Sequence, residues 1–468
     1  MKEKLVATLS DIRFWIILSL LIRLIGITDP PIEIGHNWRQ TTVTMVARNF
    51  LETDANILYP RIDIAGEKSG ITGMEFPVFN YSIYLVSSIF GYQHWYGRLI
   101  NLLISSLGAL FFFRLVSRFF ESKVAFFATL IFLVSIWFSY SRKIMPDTFA
   151  VSLVLIGMYY FSEFVHNTNY RYLTLGSLLI AFGVLSKLPA GVVLTPFILF
   201  LYKKNSTSKK KIIILLSFVA ISMPAIWWYF YWVPYLNFNF GYWHFFMGKT
   251  MSEGFQELSS NLPEFLEKFY GTSLFYLGFI ACVVGVYFSI KKKIHPLNWV
   301  VGISFLAITV ILLKSGQTFA HHTYYMIPFL PAMSLAAGFG LASFPYKKIS
   351  ILFLVGILAE GTLNQLADFR IPKSHLSLLE LESDLVLLSD KNDLIVINSG
   401  NVPTPMYFAH RKGWVESNKK IQEEKYISEL KKKGLRFIVV LKEGFGREIT
   451  LPYPILLEKK SYRIYSLH

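Results

Sequence analysis

The residues of this chain whose types could do chemistry are gathered in a few polar stretches between long apolar runs. Asp29, Glu33, His36, Arg39, Glu75 and Arg98 lie in or beside one stretch. Arg142, Lys143 and Asp147 lie in a second, His244 and Lys249 in a third, and His321 and His322 in a fourth. Lys187 interrupts an apolar run by itself. A few carboxylates among many cations and histidines suit one pair of tasks. Arg and Lys bind phosphate, the first as a planar fork and the second as a point charge. A carboxylate or a neutral histidine takes the proton of an incoming hydroxyl.

The elements that must position these groups belong to a membrane protein. The 468 residues are 53% hydrophobic and 17% aromatic but only 16% charged, too apolar for a soluble chain of this size. Ionisable residues near a bilayer are costly and mark function where they persist. The formal net charge of +16 comes from short basic clusters between apolar segments. That is the pattern of loops facing anionic lipid, and it argues against a nucleic-acid partner. Cys282 is the single cysteine, which excludes a disulfide framework and a cysteine-based metal site. Residues 1–31 carry Arg23 inside their apolar stretch and no small-x-small cleavage site, so they read as a retained signal anchor.

A span needs about 20 mostly apolar residues. Segments 12–27, 98–117, 124–141, 148–165, 172–187, 189–202, 212–232, 271–290, 297–313, 326–343 and 349–365 approach that length. They predict a polytopic α-helical membrane protein with about eleven transmembrane helices. Basic clusters at Lys2/Lys4, Arg114/Arg118/Lys123, Lys203/Lys204/Lys209–Lys211, Lys291–Lys293 and Lys347/Lys348 share one side if the N-terminus is cytoplasmic and the C-terminus is outside. Residues 28–97, 142–147, 233–270, 314–325 and the tail then face outward. Within the loop 28–97, residues 76–91 are too short and too polar to span. Residues 38–53 place Val43, Val46, Ala47, Phe50 and Leu51 on one helical face, opposite Arg48, Asn49 and Glu52. Both read as in-plane helices at the outer face, the plain alternative being short helices packed on the bundle. Residues 1–365 are thus expected to form the transmembrane domain and 366–468 a small periplasmic α/β domain. In that tail "DLIVINSG", "LRFIVVL" and "YRIYSL" read as strands, and Gly434 ends a helix. No internal repeat suggests the inverted halves of a secondary transporter.

A sugar-bearing lipid phosphate at a membrane surface would call on both tasks at once. Several motifs point the same way: Glu-x-Pro at Glu75–Pro77, Gly-Arg at Gly97–Arg98, and Pro-Asp at Pro146–Asp147 opening a helix. "LSKLPAGVVLTP" surrounds Lys187, and "HHTYYMIPFLPAMSLAAG" runs from 321 to 338. In this order, with the long outer loop and the α/β tail, nearly the whole chain resembles the C-type integral-membrane glycosyltransferases. Among them it is most similar to the bacterial lipid A aminoarabinose transferases and the protein O-mannosyltransferases. The resemblance implies a polyprenyl-phosphate sugar donor, an acceptor hydroxyl on a glycan, lipid A or a protein, and a multi-pass place in a bacterial inner membrane. One motif departs from the pattern. Those families carry an Asp-Glu pair shortly before an (I/V)-(A/S)-R segment. Val46-Ala47-Arg48 matches that segment, but Arg39-Gln40 stand where the pair would lie. His36, Asp29 and Glu33 are nearby substitutes for the base, and Glu75 or Asp147 could take the whole role.

On that resemblance Asp147, Glu75 and His36 are the candidate catalytic residues. Arg39, Arg98, Arg142, Lys187, His321, His322, Tyr324 and Tyr325 are the candidate substrate-binding ones. Plainer readings stand beside them. Asp147 suits a helix N-terminus electrostatically, Glu75 could be a solvated loop carboxylate, and Arg39 could pair with Glu33 or Glu75. Trp38 suits an interfacial anchor, Arg142 and Lys143 could be stray outer charges, and Lys187 could snorkel to the outer interface. Adjacent His321 and His322 point to different helix faces, so at most one lines the site. His244 with Glu75 is a conceivable metal pair, although a lone histidine among aromatics is more often interfacial. "HRKGW", 410–414, is an acceptor contact or a basic turn. The implied reaction is an inverting single displacement in which a monophosphate leaves. Cations suffice for that, so no cofactor is required, while a divalent metal stays compatible. Two rival classes remain: a carrier or flippase for a lipid-linked glycan, which would want midplane polar groups, and a catalytically inactive membrane scaffold.

Overall fold

The computed structural model describes residues 7–197, 207–241 and 248–467. The chain divides into two compact units. One comprises Met1–Ile27, Arg98–Phe230 and Phe245–Leu366, the other Thr28–Gly97, Tyr231–His244 and Ala367–His468.

The first unit is helical. Among the described residues six helices are long and apolar enough to cross a membrane: Tyr96–Val116, Pro146–Asn167, Ser208–Phe240, His295–Ser315, Thr323–Ser343 and Lys347–Phe369. Leu262–Ser273 and Phe275–Lys291, bent by 93° at their junction, make a seventh if they count as one span. The expected eleven are therefore not all present as full-length spans, for local reasons. Residues 12–27 give only the 12-residue helix Ile12–Arg23. Residues 124–141 break after Val134, where Ser135 turns extended. Gln365 supports that break, donating to the Ser135 carbonyl at 3.0 Å and accepting from the Ser139 N–H at 3.0 Å, as backbone freed at membrane depth requires. Tyr170–Ser186 is apolar but only 17 residues long. Residues 189–202 begin as the 3-10 stretch Leu188–Phe197, whose two prolines cannot donate α-helical hydrogen bonds. The rest of that segment, with Lys203 and Lys204, lies outside the described residues, as do Lys2 and Lys4. Leu103, Leu178, Val283, Leu306 and Leu352 stay exposed, as suits side chains that face lipid.

The second unit joins the loop 28–97 to the tail, whereas the sequence groups that loop with the transmembrane helices. Its sheet contains β1 Leu394–Ile397, β2 Gly413–Val415, β3 Leu435–Leu441, β4 Ile455–Glu458 and β5 Tyr462–Ser466, in the order β2-β1-β3-β5-β4. β1 pairs in parallel with β2 and β3, and β5 runs antiparallel between β3 and β4. Ile395, Ile397, Phe437, Val439 and Ile464 of the sheet share one core with Met45, Val46 and Phe50 of the loop helix Asn37–Glu52. That shared core is why the loop belongs with the tail.

The same helix differs from expectation on its polar face, where Arg48 and Asn49 are buried and only Glu52 stays exposed. Arg48 pairs with Asp63 at 3.1 Å, donates to the Tyr407 carbonyl at 3.1 Å and lies 4.6 Å from the centre of the Tyr407 ring. Asn49 donates to the other Asp63 oxygen at 2.8 Å. The Val-Ala-Arg segment thus ties loop to tail. The second loop helix, Val78–Phe90, is about 20 Å long, short of a hydrocarbon core of about 30 Å. It carries Leu85, Ile89 and Phe90 exposed.

The 410–414 turn is a corner of this unit. His410 has φ 48° and closes the Thr404–Ala409 helix. Its Nε2 lies 2.9 Å from the Glu52 carboxylate and its Nδ1 bonds Glu382. Arg411 donates to the Ser389 carbonyl at 3.1 Å, and the Gly413 N–H donates to the Asp63 carbonyl at 3.0 Å. Burial alone would depress the His410 imidazole, but Glu382 and Glu52 outweigh it and hold the group above its ordinary 6.5. Burial would likewise raise Glu52, yet His410 and Lys391 bring it from 4.5 down to about 2. The histidine's stabilising share is complete below pH 6.5 and is lost as pH rises through its raised folded value. The carboxylate's share is complete above pH 4.5 and is lost as pH falls toward about 2. Thermal unfolding followed against pH should therefore be most resistant between these limits. His410→Gln should abolish the loss on the alkaline side, and an unchanged alkaline limb in that variant would rule out the bridge.

Candidate active site

In the helical unit the site is built on the segment 138–147, which leads into the helix Pro146–Asn167. Pro146 fixes the helical φ at the first position after an extended Met145. Asp147 therefore falls in the first turn, where the helix dipole favours an anion. Lys187 caps the C-terminus of Tyr170–Ser186 in extended conformation, and its Nζ lies 3.7 Å from Asp147 Oδ1. The two helices approach closely because glycine lines their seam. A Cβ on Gly183 would stand 2.7 Å from the Ala150 carbonyl oxygen, and one on Gly157 would stand 2.8 Å from that of Gly176.

The same segment gathers the other groups. Asn101 donates to the carbonyls of Tyr140, Lys143 and Met145 at 3.0, 2.8 and 3.3 Å, and accepts from the Thr148 hydroxyl at 2.9 Å. Lys143 Nζ lies 4.3 Å from the centre of the Tyr140 ring, and Lys187 Nζ lies 5.3 Å from that of Tyr324. Tyr140 meets Tyr324 edge-on at 6.5 Å and bonds the Thr323 hydroxyl at 2.5 Å. His322 stacks on Tyr324 at 5.2 Å, and Tyr325 tilts against Tyr324 at 4.8 Å. Arg142 donates to the Gly26 carbonyl at 2.6 Å, while Arg23 bonds the Ser141 hydroxyl. Arg98 is fully buried in the first turn of Tyr96–Val116, where the dipole disfavours a cation, so helix stability does not explain it. Arg23, Arg98, Arg142, Lys143 and Lys187 are all buried, and Asp147 is the one buried carboxylate of this unit among the described residues.

The second unit holds the remaining candidates. Arg39 Nη2 lies 2.7 Å from Glu75 Oε1, with both side chains largely shielded. Gln40 Nε2 donates to the buried Glu33 carboxylate at 2.9 Å. His36 has φ 60° at the start of Asn37–Glu52, a left-handed position uncommon outside glycine and asparagine.

Comparison with known proteins completes this description. Residues 75–230 match the family model described as dolichyl-phosphate-mannose-protein mannosyltransferase. ArnT from Cupriavidus metallidurans in the apo state superposes with a TM-score of 0.57 at 13% identity, over 97% of this chain and 97% of that one. The same protein bound to undecaprenyl phosphate gives 0.56 at 13%, over 97% and 98%. AglB, the oligosaccharyltransferase of Archaeoglobus fulgidus, in complex with an inhibitory peptide and a dolichol-phosphate, gives 0.53 at 11%, over 92% of this chain and 69% of that one. The chain has the C-type glycosyltransferase fold. A search of curated proteins finds no match.

Within this C-type fold the structure sorts the sequence candidates. Asp147, Lys187, His322, Tyr324 and Tyr325 come together, joined through Tyr140 to Lys143. His321 is exposed and turned to Gln317 at 3.3 Å, so of the two histidines His322 is the one in the cluster. Arg39 is an ion-pair partner of Glu75. Sequence reasoning missed Arg23, using it only to argue against cleavage, although a cation inside an apolar stretch is itself a functional signal. Asn101 and Tyr140 gave no signal. Among the described residues no three His, Cys, Asp or Glu could hold a metal ion, and His244 lies outside those residues.

The glycine seam is directly testable. Gly183→Val should cost about 1–3 kcal/mol of stability through overpacking and separate Lys187 from Asp147. Gly302→Val, where a Cβ meets nothing within 4 Å, should be close to neutral. Equal thermal unfolding of the two variants in detergent would refute the seam.

Proposed function

We propose that this protein transfers a single sugar, with inversion, from a polyprenyl-phosphate donor to an acceptor hydroxyl at the periplasmic face of a bacterial inner membrane. The observation that carries the reading is the buried Lys187–Asp147 pair in a helical unit of C-type fold that also buries Arg23, Arg98, Arg142 and Lys143. The lipid phosphates bound by ArnT and AglB support the donor class. The N-terminus is then cytoplasmic, and the α/β tail lies in the periplasm. The acceptor is a hydroxyl of a surface glycan, lipid A or a protein.

The chemistry is one displacement. The acceptor O–H proton passes to a carboxylate, for which Asp147 is our first assignment and Glu75 the second. The acceptor oxygen bonds the anomeric carbon as the carbon–phosphate-oxygen bond breaks on the opposite side. The electron pair leaves with the polyprenyl phosphate, whose charge Lys187, Arg142 and Arg98 offset. Lys187 also sits beside Asp147. A monophosphate leaving group does not demand a divalent ion, although the cluster does not preclude one.

The test is release and transfer of sugar from radiolabelled polyprenyl-phosphate monosaccharides by the purified protein with a crude acceptor extract. Asp147→Asn should reduce turnover by about a hundredfold or more, the usual share of a general base. Lys187→Gln should weaken use of the donor. Collapse in Glu75→Gln with Asp147→Asn active would move the base to Glu75. No turnover by wild type across several sugars would return the carrier or scaffold reading.

A further inference from the structure

The helical unit contains a cavity of about 800 Å³ whose lining includes none of Asp147, Lys187, His322, Tyr324 or Tyr325. Its walls are apolar, with Leu155, Val193, Val300 and Ala332 on different sides, and Arg118 and His166 supply its basic groups. A volume this large is at the upper end of pockets that hold small molecules, and an apolar space of that size inside a membrane protein suits hydrocarbon.

The polar groups indicate which hydrocarbon. His166 stands 19 residues beyond Asp147 on the one helix Pro146–Asn167. That is about 28 Å along the axis, close to the thickness of a bilayer's hydrocarbon core. A lipid phosphate beside Lys187 and one beside His166 would therefore belong to opposite leaflets. The His166 end carries further basic groups. Lys210 bonds the hydroxyl of Thr168, two residues beyond His166, at 2.9 Å. Arg118 pairs there with Glu163 and lies 4.8 Å from the centre of the Tyr159 ring. Its planar fork has five donors, so one carboxylate oxygen leaves capacity for a phosphate.

We propose that this cavity holds the hydrocarbon chains of an anionic phospholipid whose phosphate sits against Arg118 and His166, in the leaflet opposite the sugar-transfer site. The chains fill space that would otherwise lack contacts between helices, and the headgroup is selected by charge. The binding does not depend on the proposed reaction and needs no donor.

The test uses the full-length protein in detergent, offered phosphatidylglycerol or phosphatidylcholine, with retained lipid read by native mass spectrometry. Wild type should retain phosphatidylglycerol in preference. Arg118→Gln combined with His166→Gln should lower its retention by about fivefold or more, the effect of a basic group at a membrane surface, and leave phosphatidylcholine unchanged. Val300→Trp and Ala332→Phe fill the cavity from different walls and should each lower retention of both lipids, so misfolding of one leaves the other informative. Equal retention of the two lipids by wild type would overturn the proposal. So would a folded filling variant that keeps phosphatidylglycerol, or displacement of that lipid by undecaprenyl phosphate, which would make the cavity the donor's.

Discussion

A charge taken out of water must be met by an opposite charge or by hydrogen bonds, and among its described residues the helical unit buries five cations and a single carboxylate. Much of the local architecture follows from holding those groups in place. The irregular segment 138–147 keeps its carbonyls satisfied through Asn101. The break after Val134 is braced by Gln365. The Tyr140 and Tyr324 rings present π faces to Lys143 and Lys187, which offset part of the lost hydration. An electrostatic arrangement of this kind suits an anion, and a phosphate offers three or more oxygens to cations arriving from different helices.

The second unit meets the same constraint differently. Arg48 has Asp63, and Arg39 has Glu75. Its buried Glu33 is held by the amide of Gln40. The last two contacts bear on the departure at Arg39-Gln40. The carboxylates absent from those two positions in the chain are brought to them in space, one by an ion pair and one by an amide hydrogen bond.

Local pattern was a good guide wherever a segment was long and regular. The loop helices were read as 38–53 and 76–91 and form as Asn37–Glu52 and Val78–Phe90. "LRFIVVL" is β3 from end to end. The edge strands β2 and β4 escaped, β2 because three residues are too few to show a period of two. The helix read between β2 and β3 divides at Gln422, leaving Glu424–Lys432 as its main part. Apolar composition did not reveal where a segment departs from a regular full-length helix, as at the break at Ser135 or in the proline-bearing 3-10 stretch Leu188–Phe197. Site residues were legible by type and not by partner. Asp147 and Lys187 stood out singly, but their contact depends on how closely two helices pack. The motif arginine, Arg48, has a structural role that only the fold discloses.

The glycine seam has a consequence for how the protein meets its bilayer. Helices in membranes of differing thickness adjust by tilting, by kinking or by moving past one another, each at modest cost. Between Pro146–Asn167 and Tyr170–Ser186 the third option is closed, because backbone sits on backbone at Gly157, Gly176 and Gly183. An axial shift of a single residue, about 1.5 Å, would drive side chains into those contacts. Hydrophobic mismatch is then taken up by tilting this hairpin as one rigid body or by the 93° elbow near Leu274. The spacing of Asp147 and Lys187 is thereby insulated from the composition of the surrounding lipid.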